Sequence, residues 1–111
     1  MIHRLKLLAP LLIVTVLVWS VSLSNGLVWD DHILIEKNQA NLAEFSLQRI
    51  FFSDFWSTEV EEGTSHYYRP LVTLSYCLDY LRGGIDPVGY HLTNIILHTT
   101  IVALVWMLLL E

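Results

Sequence analysis

Three groups of polar side chains in this sequence have the types and spacing to do chemistry. The first is Asp30-Asp31, with His32 beside them. Adjacent carboxylates can hold a divalent cation, or one can accept a proton while the other orients it. The same pair also reads as a solvated couplet marking the outer end of a helix. The second is His66-Tyr67-Tyr68-Arg69-Pro70. Arg69 falls just before an expected helix N-terminus, and a guanidinium beside unpaired N–H groups makes a phosphate site. His66 adds a donor, although clusters of Tyr, His and Arg are also common where protein meets a membrane surface. The third is His91, Asn94 and His98, at i, i+3 and i+7 of one helical face. Polar groups aligned inside a membrane helix serve either a binding site or pairing with another helix. A zinc site is the weaker reading there, because the usual ligand spacing is absent.

The elements that must position these groups follow from two apolar runs. Residues 5–24 carry no charge beyond Lys6 and are long enough, at about 1.5 Å per residue, to cross a ~30 Å hydrocarbon core. Pro10 falls near the start of that run, where a lost N–H matters least, and Trp19 falls near the far end. Residues 91–110 form the second crossing, polar in its first half and apolar from Ile101 to Leu110. Arg4 and Lys6 precede the first helix while Asp30 and Asp31 follow it, so the N-terminus is expected in the cytoplasm. Residues 25–90 then form a loop in the periplasm or the endoplasmic reticulum lumen. A cleavable signal peptide over 1–24 is the competing reading, but the apolar stretch exceeds the usual ~7–15 residues.

Within the loop, Ser24-Asn25-Gly26 stops the first helix. Asn41 and Glu44 have capping-box spacing, so a short helix is expected near 41–52, with Phe45, Ile50, Phe51, Phe52, Phe55 and Trp56 as an aromatic-rich patch around its end. Glu59 to Ser65 reads as a polar loop tip. Pro70 opens a helix over 70–82 that Gly83-Gly84 ends. Leu71, Leu74, Leu78 and Leu81 make one stripe on it, as expected of an amphipathic helix on the membrane interface or packed on the loop. Asp86-Pro87-Val88-Gly89 reads as a turn into the second crossing.

Composition supports this division. The 111 residues are 54% hydrophobic and only 15% charged, against about 25% in soluble proteins, so lipid rather than a large soluble core must cover the apolar surface. The net charge of -5, with few scattered cations, excludes a nucleic-acid partner. One cysteine, Cys77, excludes an internal disulfide.

Taken in order, Val28-Trp29-Asp30-Asp31-His32, Ser53-Asp54-Phe55-Trp56, Ser65 to Leu71 and Gly83 to His98 resemble the N-terminal region of the transmembrane and tetratricopeptide-repeat O-mannosyltransferases and their bacterial relatives, which are GT-C-type glycosyltransferases. The resemblance implies an all-α membrane protein, the N-terminal part of a GT-C-like fold, using a polyprenyl-phosphate sugar donor and transferring to a protein or glycan hydroxyl. It implies Asp30 as general base, Asp31 assisting or sharing a divalent cation, and His66 and Arg69 near the donor phosphate. The family has many more crossings followed by helical repeats. The chain is therefore expected to resemble a fragment that is inactive alone, with membrane lipid, the lipid-linked donor and the remaining helices of a split enzyme as partners. The other class of reading is a non-catalytic two-helix membrane subunit or interaction module.

Overall fold

A computed structural model describes residues 2–58 and 66–110; every regular element among them is a helix. The chain divides into two units, residues 1–25 with 91–111, and residues 26–90. The expected loop tip, Glu59 to Ser65, lies outside the described residues.

The first unit is built on α1 (Ile2–Trp19), which tightens into a 3-10 segment over Ser20–Ser24, and on α5 (Pro87–Leu108) from His91 onward. Both are long and apolar enough to cross a membrane, over Lys6–Ser24 and Pro87–Leu108, with mean hydropathies of 2.2 and 1.5. A helix this apolar in a soluble core would be covered, whereas Leu17, Val18 and Leu104 are 63%, 64% and 55% exposed. Their hydroxyls are satisfied inside their own helices. Thr15 donates to the Leu11 carbonyl at 2.8 Å and Thr99 to that of Ile95 at 2.7 Å. Apart from the His91, Asn94 and His98 face of α5, little polar surface is thus left to oppose an apolar solvent.

Two expectations change here. Pro10 is inside α1, because the helix already begins at Ile2; its ring removes a donor that would otherwise bond four residues back. The expected turn at 86–89 is instead the opening of α5. Pro87 occupies its first position and the Asp86 Oδ1 accepts the Val88 N–H at 3.1 Å, a side-chain cap that starts the helix earlier than the apolar pattern does.

The second unit starts with a single π turn at His32–Glu36, followed by α2 (Gln39–Glu44), α3 (Leu47–Phe52) and α4 (Pro70–Gly83). One helix was expected near 41–52; the chain instead runs as two. Phe45 takes a left-handed conformation (φ 48°, ψ 50°) that ends α2, and the Ser46 hydroxyl accepts the Arg49 N–H at 3.4 Å to restart the helix as α3. The break lets Leu42 and Ile50 enter one core. Asn41 is not the cap either: it donates to the Asn38 side chain at 2.7 Å.

That core joins Leu34, Ile35, Leu42, Ile50, Cys77 and Tyr90, with Leu74, Tyr76, Tyr80, Phe55 and Trp56 packed around it. Full burial of a side chain such as Ile35 or Leu42 contributes about 1.5–3 kcal/mol. α4 faces this core through Leu74, Cys77 and its tyrosines, while the other three leucines of the stripe do not. Leu71, Leu78 and Leu81 are 73%, 40% and 57% exposed. The helix closes at Gly84 (φ 63°), a conformation in which a Cβ is strained, with the Gly84 N–H on the Tyr80 carbonyl at 2.7 Å.

Candidate functional site

The two aspartates stand on a strained turn. Trp29 is left-handed (φ 51°), a conformation costing roughly 1–2 kcal/mol for a residue with a Cβ. Around it the Asp31 N–H reaches the Val28 carbonyl at 3.1 Å and the His32 N–H that of Trp29 at 3.2 Å. The Asp31 Oδ2 accepts the Val28 N–H at 3.1 Å and so holds the turn closed. The Asp30 carbonyl accepts from Ile33 and Leu34 at 3.0 and 2.8 Å, which fixes its backbone. Its carboxylate is exposed and, among the described residues, has no hydrogen-bond or ion-pair partner. Adjacent residues of one type thus have different tasks: Asp31 is structural, Asp30 is open. His32 is turned to neither, since its Nδ1 meets the Glu36 carboxylate at 2.8 Å.

Arg69 reaches the same region from the other side of the loop. The Phe55 N–H donates to the Tyr67 carbonyl at 2.8 Å and the Tyr68 hydroxyl to the Phe51 carbonyl at 3.0 Å, fastening residues 67–69 beside α3. The guanidinium lies 5.3 Å from the Phe55 ring centre and 5.5 Å from that of Tyr67. Arg49 and Arg82 face Glu44 at 3.8 Å and Asp79 at 3.6 Å, but Arg69 has no carboxylate within ion-pair distance among the described residues. The helix end behind it adds less than expected. Pro70 has no N–H, and those of Val72 and Thr73 both go to the Arg69 carbonyl at 3.1 Å. The guanidinium, rather than the helix end, is the principal donor group there.

Tyr76 joins these groups, and the sequence reading missed it. Its ring packs 6.4 Å from Phe55 and 5.9 Å from Tyr90. Burial pushes the phenol above its ordinary range, the Asp31 and Asp30 charges push it further, and Arg69 pulls it back. Both aspartates and the arginine therefore act on one half-buried hydroxyl that stays protonated. The signal was its place seven residues after Arg69, on the same side of α4. His66 (φ 61°) is exposed on an open hollow of 480 Å³ with Phe52, Asp54 and Tyr68.

Three or more metal-binding side chains do not converge among the described residues. Asp30 and Asp31 supply two carboxylates, one of them with an oxygen committed to Val28, which is fewer protein oxygens than a calcium cage uses.

His91, Asn94 and His98 all line one cavity of 240 Å³ in the first unit, with Trp19, Ser22 and Ile95. The His91 Nε2 bonds the Asn25 carbonyl at 3.2 Å, and the His98 ring meets Trp19 edge-on at 5.1 Å.

No family model and no solved structure matches the chain. Among curated proteins it is 48% identical over 77 residues to protein O-mannosyl-transferase tmtc2 of Xenopus laevis, covering 68% of this chain and 9% of that protein. It is 42% identical over 84 residues to protein O-mannosyl-transferase TMTC2 of Homo sapiens, covering 75% and 10%. It is 40% identical over 82 residues to protein O-mannosyl-transferase Tmtc3 of Drosophila melanogaster, covering 73% and 9%. The chain spans about a tenth of the length of these relatives. Over most of its own length it is a homologue of one segment of the TMTC protein O-mannosyl-transferases.

Proposed function

We propose that this chain supplies the N-terminal part of a GT-C-like membrane glycosyltransferase: two crossings and the extracytoplasmic loop that carries the catalytic carboxylate. The N-terminus faces the cytoplasm and the loop faces the periplasm or the endoplasmic reticulum lumen, with Arg4 and Lys6 on one flank of α1 and Asp30 and Asp31 on the other. The exposed leucines of α4 lie at the lipid surface. The observation that carries the reading is the open Asp30 carboxylate beside the capped Asp31, with both charges and that of Arg69 acting on Tyr76.

The chemistry is inverting transfer from a polyprenyl-phosphate sugar to a protein or glycan hydroxyl. Asp30 takes the proton of the acceptor hydroxyl as its oxygen attacks the anomeric carbon. The bond from that carbon to the lipid phosphate breaks, and the phosphate leaves with the electron pair. Arg69, held by two aromatic rings and without a carboxylate partner among the described residues, stabilises the charge developing there. His66 is the neighbouring donor. Asp30 and Asp31 would hold a divalent cation, which would neutralise donor phosphate charge.

The test is a chimaera in which this chain replaces the matching segment of the Xenopus laevis relative. Mannose transfer that survives the exchange and disappears with Asp30→Asn, while membrane insertion is unchanged, supports the reading. Full activity in Asp30→Asn removes Asp30 from the mechanism. A non-catalytic membrane module is the alternative, favoured by the large exposed apolar face of α4. It predicts a chimaera whose transfer does not respond to Asp30 or Arg69.

A further inference from the structure

Transfer chemistry leaves one surface of the first unit unused. Two hollows, of 240 and 200 Å³, lie between α1 and α5. Trp19, Asn94 and His98 line the first, and Leu11, Ile101 and Val105 the second. Asn94, His98, Ile101 and Val105 recur three or four residues apart, so both hollows open on one face of α5. Together they make a trough that is polar towards the start of α5 and apolar beyond.

Depth limits what can complete the polar end. α5 runs 22 residues from Pro87, roughly 33 Å at about 1.5 Å per residue. On the same rise Asn94 stands about 10 Å along it and His98 about 16 Å, near the middle of a ~30 Å hydrocarbon layer. Both side chains are exposed, and among the described residues neither has a hydrogen-bond partner. The contact of His98 with Trp19 is ring against ring and pairs neither of its nitrogens. His91 differs, since its Nε2 already meets the Asn25 carbonyl.

Open polar groups facing hydrocarbon are costly. A lipid headgroup does not reach the midplane, and an acyl chain has no donor or acceptor to offer there. A side chain carried on another membrane helix has both. Asn94 offers a carbonyl and an amide N–H, a neutral imidazole offers one donor and one acceptor, and the lining contains no Asp, Glu, Lys or Arg. A neutral amide or hydroxyl is the matching partner. Shape selects a single helix over a second copy of this chain: two identical troughs meet hollow to hollow and leave voids, whereas one convex helix fills the trough. The matched relatives carry about ten times this length of chain, from which such a helix can come.

We propose that the trough between α1 and α5 docks one further membrane helix, whose neutral amide or hydroxyl side chain at the bilayer midplane completes Asn94 and His98. This rests on the two crossings of the reading above and not on its transfer chemistry.

The test uses the full chain, labelled with a donor dye, in phosphatidylcholine vesicles. The probe is a lysine-flanked polyleucine peptide with one central Gln and an acceptor dye, compared with the same peptide without the Gln. A central Gln sits at the midplane whichever way the peptide inserts. Energy transfer should show the Gln peptide binding at least threefold more tightly than the all-Leu peptide. Asn94→Leu with His98→Leu should abolish that preference, and His98→Gln should keep part of it. Leucine suits a lipid-facing helix, and unchanged helical circular dichroism checks that the variants fold. Equal binding of the two peptides, or a preference that survives in the double variant, overturns the proposal. So does energy transfer between two copies of the chain that is lost in the double variant, which assigns the face to self-association. Carbonate extraction separates this inference from the reading beneath it. A chain that stays in the vesicles but ignores the Gln removes the docking proposal alone, whereas a chain that is extracted removes the crossings and the docking together.

Discussion

The guanidinium of Arg69 lies 5.3 Å from the centre of the Phe55 ring. An arginine stacked on an aromatic face keeps its N–H edges outward and loses less freedom when an anion arrives. Arg69→Ala should therefore weaken binding of undecaprenyl phosphate in nanodiscs by tenfold or more, in line with the roughly 1.5–3 kcal/mol of a hydrogen bond to a charged group. Arg69→Lys keeps the charge but not the planar fork and should recover only part of the loss. Equal affinity in wild type and Arg69→Ala would exclude this arginine from phosphate recognition.

The two aspartates should separate by phenotype. Asp31→Ala removes the acceptor of the Val28 N–H and should lower stability by about 0.5–1.5 kcal/mol, measured by denaturation of the chain in detergent. Asp30→Asn, at an exposed carboxylate without a partner among the described residues, should leave stability within about 0.5 kcal/mol of wild type. Its effect belongs to sugar transfer by the chimaera. The reverse pattern would exchange their assignments.

Ile35 is 1% exposed at the centre of the loop core. Ile35→Ala should cost about 2–5 kcal/mol, seen as faster proteolysis of residues 26–90 while the chain stays in the membrane fraction. A similar cut to Leu71, which is 73% exposed, should have little effect in detergent.

Strong base should progressively destabilise the loop core. Burial raises the Cys77 thiol above its ordinary 9.0, and burial with Asp31 raises the Tyr76 phenol above its ordinary 10.0. For each group the unfolded chain loses its proton first. Stability is therefore complete below the ordinary value and declines as pH rises from there through the folded one. Tyr76→Phe and Cys77→Ala should each make the loss of stability with rising pH shallower, as followed by circular dichroism across pH 8–11. A profile unchanged by both would show that neither group titrates with unfolding.

Much of this was legible in the sequence because the signals were covalent. Pro70 and Gly83-Gly84 bracket α4, and long, largely uncharged apolar runs reveal the two long helices. Tertiary choices were not legible. The spacing of Asn41 and Glu44 suggested a capping box, but the structure caps α3 with Ser46 instead, where Leu42 and Ile50 share one core. The leucine stripe of α4 has regular helical spacing, but of its four members the core takes only Leu74, together with Cys77 and the tyrosines. In the candidate site Asp30, Asp31 and Arg69 were conspicuous by type. Tyr76 was hidden, since a tyrosine in an apolar helix reads as packing until its surrounding charges are known.

Cys77 is the sole sulfhydryl of the chain and is sealed to 2% exposure between α4 and its neighbours. An alkylating reagent can reach it only when residues 26–90 come apart, so the speed of labelling measures how often they do. Without any engineered reporter, mass addition over time would record whether a sugar lipid, a bilayer or a substitution keeps that body shut.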